Sequence, residues 1–315
     1  MIRILIAEPR DFSPAALAVL REVGEVELRG VIPGEIAREF GCYDVVWMRL
    51  GHRVNAADLG EGPRCRLIAV PATGVDHLDL QACAERGVRV LSLRGETDFL
   101  RGLRATAELT VALALALVRR LPEAAEHVRS GGWNRDLFRG RELAGKTAGI
   151  VGVGRLGAIV AQLLAAFGMR VLGVDPRTDF PEHLAERRES LDDLLHDSDL
   201  VSLHVPYCAE TRHLIGSPQL ATMKSGAVLV NTSRGGVIDE TALLQSLASG
   251  RLSGAALDVL DGEPEIDLTH PIIAAAVSDR RLLIVPHLGG NTWESLERAE
   301  TFMAQKVRAV LRGEA

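Results

Sequence analysis

Three ionisable residues stand where acid–base chemistry could be done. Arg234 lies in "LVNTSRGGVIDE", Glu263 in "GAALDVLDGEP" and His287 in "LLIVPHLGG", each just beyond an apolar run. An arginine offers a planar fork of donors that fits a carboxylate. A histidine gives or takes a proton near neutral pH. A glutamate paired with that imidazole would favour its charged form and fix its orientation. As a set they suit hydride exchange between a cofactor and a small 2-keto or 2-hydroxy acid. Arg234 would bind the carboxylate and polarise the carbonyl. His287 would protonate the developing alkoxide and act as base in reverse, with Glu263 orienting it. Taken singly, each has a plainer reading: a loop cation, a turn residue next to Pro264, a surface histidine.

The cofactor has its own signature. "TAGIVGVGRLGAIVAQLLAAFGMRVLGVD" holds G-x-G-x-x-G at Gly152, Gly154 and Gly157. The motif follows an apolar strand, opens an amphipathic helix, and leads to another strand that ends in Asp175. That is the context a dinucleotide site requires. Gly152 would permit the tight turn, Gly154 the approach of the pyrophosphate, and Gly157 the packing of helix on strand. The helix N-terminus would supply N–H groups and partial positive charge. Asp175 would accept from the adenosine ribose and repel a 2′-phosphate, which favours NAD. Arg177, two residues on, keeps NADP as the lesser alternative.

Elements that could position these groups alternate along the chain. "IRILIA", "DVVWMR", "RLIAV" and "VRVLSL" read as strands. "PAALAVLREV" after Ser13 and "LDLQACAERG" before Val88 read as helices. From Ala105 a long apolar helix restarts the pattern. It is followed by "TAGIVGV", "MRVLGVD", "LVSLHVP", "AVLVNTS", "SGAALDV" and "LLIVPH". Such near-continuous apolar strands belong to parallel sheets covered on both faces. The fold class is α/β, with two Rossmann-like doubly wound parallel-sheet domains.

Bulk properties narrow the function. The chain has 315 residues, enough for two domains, with 47% hydrophobic and 25% charged residues. Its net charge of -6 argues against nucleic acid or an anionic membrane as the main partner. No signal peptide is legible, and the longest apolar run, Val111 to Val118, is far too short for a span. The four cysteines form no CxxC pair and the nine histidines no HExxH spacing, so no metal is expected and a cytoplasmic setting fits.

The chain resembles the D-isomer-specific 2-hydroxyacid dehydrogenases along nearly its whole length. The matching stretches include "ATGVDHLDL", "TAELTVALALAL", "RELAGKTAGIVGVGRLG", "NTSRGGVIDE", "GAALDVLDGEP" and "PHLGG". The resemblance implies that Arg234, Glu263 and His287 are the catalytic trio. It implies that Arg155, Leu156, Asp175, Val205, Thr232, Ser233, Asp258 and Gly289 line the NAD site beside the glycines, with Asp258 on the nicotinamide amide. Thr73 and Gly74 would meet the substrate. It also implies a discontinuous substrate domain, residues 1–102 and 289–315, around an NAD-binding domain, 103–288, with the helix from Ala105 helping to form a homodimer.

Within the family, "GGWNRDLFRGRELAGKT" looks most like 3-phosphoglycerate dehydrogenase. Arg49 and Arg135 match positions that contact the substrate phosphate there. Val70 stands where another basic residue is usual. The segment "LRGETDFLRGLRATAELT" is longer than usual and could reshape substrate selection. The sequence ends soon after its last helix, so no C-terminal regulatory domain is expected. Substrates in view are 3-phosphoglycerate, hydroxypyruvate or glyoxylate. The rival from another class is an NADH-sensing dimeric scaffold of the C-terminal-binding corepressor type, with little turnover.

Overall fold

The structure, a computed structural model, describes residues 1–314. It divides into two compact units, Met1–Leu103 with Asn291–Ala315, and Arg104–Gly290. Each is an α/β unit built on a parallel sheet, as the alternation of strands and helices predicts.

The first unit holds β1 (Arg3–Ile6), β2 (Glu25–Leu28), β3 (Val45–Trp47), β4 (Leu67–Ala69) and β5 (Arg89–Leu91), ordered β2-β1-β3-β4-β5. Alternate residues face opposite sides. Ile4, Ile6, Val45 and Trp47 pack in one core with Met303 and Val307 of the helix Trp293–Arg312. Leu5, Val46 and Ile68 face the other core, with Phe40 and Ala82. The helix Pro14–Arg21 starts where Ser13 caps it, its hydroxyl accepting from the Ala16 N–H at 3.2 Å. The edge strand β2 was not evident in the sequence. Its "EVEL" carries two glutamates, and pairing with β1 in parallel register makes it a strand.

The long segment after β5 is not an open loop. It forms the helix Thr97–Arg101, docked on Trp293–Arg312. Phe99 stacks on Phe302 with centroids 4.0 Å apart, and Lys306 bridges Glu96 at 2.5 Å. Arg298 donates to the Gly102 carbonyl at 2.8 Å. Its first residues also touch the "ATGVD" loop, where the Leu93 N–H donates to the Ala72 carbonyl.

The second unit holds β6 (Thr147–Val151), β7 (Arg170–Val174), β8 (Glu186–Arg187), β9 (Leu200–Leu203), β10 (Ala227–Asn231), β11 (Leu252–Leu257) and β12 (Leu282–Ile284). Their order is β12-β11-β10-β9-β6-β7-β8. The chain enters at β6 and winds outward both ways, so the order reverses between β6 and β9. Ligands of open α/β sheets bind beyond the strand C-termini at such a point. The register puts those ends in one row: Val174 beside Val151, Val151 beside Leu203, then Asn231, Leu257 and Ile284. The helix Ala105–Val118 buries Ala107, Thr110, Val111, Leu113 and Ala114. Among the described residues no helix is long and apolar enough to cross a membrane.

Candidate functional site

Beyond that row of strand ends lie the expected site residues of the second unit. The glycine turn comes first. Gly152 has φ +88, and a Cβ there would sit 2.6 Å from the His204 carbonyl oxygen, so only glycine fits. Gly157 lies on the Gly152 carbonyl, which lets the helix Arg155–Ala166 close onto the turn. Gly154 precedes that helix, with nothing within 4 Å of the place a Cβ would take. No side chain caps the helix there, and no acidic residue stands in its first turn. An open, uncapped helix N-terminus without negative charge suits a pyrophosphate.

The flanking residues follow. Asp175, just past β7, is 8% exposed. Burial pulls its carboxyl up, but the hydrogen bonds and charge of Arg177 outweigh this and hold it below the usual range. Arg177 also donates to the Val153 carbonyl. So Arg177, the group that could serve a 2′-phosphate, is engaged by Asp175 itself. These features fit NAD. Arg155 opens the helix, and burial lowers its guanidinium from the ordinary value. Leu156 packs on the core beneath. Val205 stands against Gly152.

Arg234 is placed by its neighbours. Asn231, the last residue of β10, is fully buried and engages both its amide oxygen and its amide nitrogen. Its Oδ1 accepts from the Ser233 N–H and hydroxyl at 3.0 and 2.7 Å, and its Nδ2 donates to the Arg234 carbonyl at 2.8 Å. Thr232 bonds Thr110 on the helix Ala105–Val118 at 2.8 Å. The Arg234 guanidinium donates to the Ser233 carbonyl at 2.8 Å. Gly235 lies against the Leu260–Asp261 backbone, and Gly236 against the Tyr207 ring. Side chains at either glycine would lift the arginine loop.

Asp258, just past β11, is 1% exposed. Burial raises its carboxyl above the usual range. Three consecutive N–H groups converge on it: His287 donates to its carbonyl at 2.8 Å, Leu288 to Oδ1 at 2.5 Å, and Gly289 to Oδ2 at 2.9 Å. Held this way, His287 has a left-handed backbone, φ +50, which non-glycine residues seldom adopt. Its Nδ1 lies 3.0 Å from Glu263 Oε1, both side chains about one-quarter exposed. A hydrogen bond donated by Nδ1–H to that carboxylate would set the tautomer and turn Nε2 the other way.

In the first unit, Arg49 follows β3, and Thr73 and Gly74 follow β4, also at strand C-termini. Thr73 is exposed and Gly74 half-buried. Arg49 is engaged within its own unit. Its Nε and Nη2 donate to Glu300 at 2.9 and 2.6 Å, and its Nη1 to the Arg10 carbonyl at 2.9 Å. Glu300, fully buried, also accepts from the Ser13 N–H. Three of five donors are thus committed to the fold. Arg135, in the second unit, is 97% exposed, with Asp136 4.0 Å away.

Two features were missed in the sequence. Asn231 was one, though a polar residue closing an apolar strand is a readable sign. The clamp of Asp258 on residues 287–289 was the other, and no local pattern announces it.

Residues 111–289 match the family model of the D-isomer specific 2-hydroxyacid dehydrogenase, NAD binding domain. Over 320 aligned residues the chain is 36% identical to D-3-phosphoglycerate dehydrogenase of Methanocaldococcus jannaschii, covering 100% of this chain and 58% of that relative. It is 33% identical to hydroxypyruvate reductase of Thermotoga maritima, with 97% of each chain covered. The structure of D-lactate dehydrogenase from Aquifex aeolicus, complexed with NAD and lactic acid, is 30% identical, with a TM-score of 0.85 over 99% of this chain and 96% of that one. With this sheet order, this glycine turn and these relatives, the chain belongs to the D-isomer-specific 2-hydroxyacid dehydrogenase family, and its second unit carries the family's NAD-binding domain.

Proposed function

We propose that the chain is an NAD-dependent oxidoreductase that interconverts a D-2-hydroxy acid and its 2-keto acid, with His287 as the acid/base. The observation that carries this is the 3.0 Å Glu263–His287 pair, set on the same row of strand ends as the glycine turn. Relatives named phosphoglycerate dehydrogenase, hydroxypyruvate reductase and glyoxylate reductase support this substrate class.

Gly152, Gly154 and the N-terminus of Arg155–Ala166 would hold the pyrophosphate, and Asp175 the adenosine ribose. Bound there, NAD supplies or takes up the hydride. Arg234 binds the substrate carboxylate and polarises the carbonyl. In reduction, His287 gives its Nε2 proton to the carbonyl oxygen; in oxidation Nε2 takes it back. Glu263 fixes the tautomer through Nδ1 and stabilises the imidazolium. The protein is proposed to act as a homodimer through the second unit, where Leu121, Val128, Trp133 and Leu137 are exposed beside the apolar helix Ala105–Val118.

The test is NADH oxidation by the purified protein with phosphohydroxypyruvate, hydroxypyruvate, glyoxylate, pyruvate and bulkier 2-keto acids. Turnover of one of them, with NADH preferred to NADPH, is expected. Preference for the phosphorylated acid would give Arg135 and the free donors of Arg49 a phosphate. NADH binding without turnover on any acid would overturn the enzyme reading in favour of a nucleotide-sensing scaffold.

A further inference from the structure

Glu263 belongs to neither a strand nor a helix. It sits in the irregular stretch between β11 and the helix Pro271–Ser278. Glu240 and Asp258 lie within charge range of it, and Asp261 stands two residues before it. Outside a helix or strand, its 3.0 Å approach to His287 depends on what holds that backbone.

Both ends of the stretch meet one side chain. Glu240 opens the helix Glu240–Ala248, where an acid is favoured by the helix dipole. Its Oε1 accepts from the Asp261 N–H at 2.9 Å. Its Oε2 lies 3.9 Å from Nε2 of His270, the residue that precedes Pro271–Ser278. These side chains are only 15% and 23% exposed. Burial raises the Glu240 carboxyl above the usual range. The His270 Nδ1 is buried without a hydrogen-bond partner. A buried N–H lacking an acceptor is rarer than an unmet acceptor, so the proton belongs on Nε2, toward Glu240. Glu240 also lies six residues after Arg234, on the segment whose Gly235 passes under Leu260–Asp261. One carboxylate thus bonds the start of the glutamate segment and faces its end, at His270, across 3.9 Å.

We propose that Glu240 and His270 are positioning residues that hold the Glu263 segment at its two ends, so that Glu263 meets His287. The consequence for turnover rests on the function proposed above; the geometric part does not. The charged and titratable groups involved are Asp258, Asp261, Glu263, His270 and His287.

The test uses the NADH-bound protein. A hydrogen-bonded Nδ1 proton of His287 gives a downfield proton resonance, assigned by its loss in His287→Gln. It should persist in the wild type and in Glu240→Gln, which keeps an acceptor for Asp261. It should broaden away in Glu240→Ala and in His270→Ala. Turnover of Glu240→Ala should fall roughly 10- to 100-fold, the scale of a small misplacement, with NADH affinity changed less than about twofold. Glu240→Gln should recover most of it. Glu240→Ala combined with Glu263→Gln should be no slower than Glu240→Ala alone, since the two act through one contact, which glutamine keeps and the misplaced segment loses. A resonance intact in both alanine variants, or additive losses in the double variant, would overturn the proposal; so would absence of the resonance in the wild type. If Glu240→Ala does not fold, His270→Ala and Glu240→Gln decide it. A wild type without turnover whose resonance still responds to these variants would remove the proposed reaction and leave the positioning pair standing.

Discussion

Replacing Glu263 with glutamine isolates what its charge contributes. Glutamine keeps an acceptor at the same reach, so the 3.0 Å contact to His287 Nδ1 can persist. What changes is the kind of bond. A hydrogen bond between charged groups contributes about 1.5–3 kcal/mol and a neutral one about 0.5–1.5. The two side chains are about one-quarter exposed, so solvent screens part of the difference. About 1 kcal/mol remains, which corresponds to roughly fivefold in rate. Steady-state reduction of the best keto acid should therefore slow about fivefold in Glu263→Gln, with NADH affinity by fluorescence titration unchanged. His287→Ala, which removes the acid itself, sets the scale at roughly 100-fold or more. A glutamine variant within measurement error of the wild type would refute the electrostatic role of Glu263. One as slow as His287→Ala would show that the carboxylate does more than stabilise the imidazolium.

Asp175→Ala should relax the preference for NADH over NADPH, because it removes the repelling carboxylate and releases Arg177 from its 2.9 Å contact; a wild type that already prefers NADPH would refute the cofactor reasoning. Arg49→Ala should destabilise the protein by about 3–5 kcal/mol, since it strands the fully buried Glu300, and a thermal midpoint close to the wild type would show that Ser13 alone satisfies that carboxylate. Burial pushes the His204 imidazole down to about 4, so the unfolded chain takes up this proton at a higher pH than the folded one. Stability through His204 is therefore complete above about pH 6.5 and is lost as pH falls toward 4. Between pH 7 and 4.5 the wild type should lose on the order of 2 kcal/mol more than His204→Asn in urea unfolding, and parallel losses would refute the assignment.

What could be read in the sequence was whatever sterics or apolar runs impose locally. Gly152 and Gly157 were readable because a side chain at either would collide with the turn, and Gly154 because it leaves the mouth of the helix open. Arg234, Glu263 and His287 were readable because apolar strands point to them, and parallel register then carries them to one edge. Partnerships across long separations were not. Glu300 takes Arg49 from 251 residues away, and no local pattern distinguishes that arginine from a phosphate ligand. Likewise, "RGETDFLRG" reads as a polar loop until Phe99 meets Phe302. The backbone of His287 is fixed by the clamp of Asp258, whose donors lie about 30 residues downstream.

The helix Trp293–Arg312 finishes a core that β1 begins, with Met303, Ala304 and Val307 lying against Ile4, Ile6 and Trp47. The ribosome delivers those two parts far apart in time. Between them it must make all of Arg104–Gly290, which at about 5–20 residues per second takes roughly 10–40 s. Through that interval one face of the first sheet is only partly covered, by Ala16 and Leu20 of the helix Pro14–Arg21, while the second unit is contiguous and can fold as it emerges. Newborn chains should therefore be most open to chaperone capture and to aggregation through the first unit. A stalled chain ending before Trp293 should show a protease-sensitive first unit beside a protected second one.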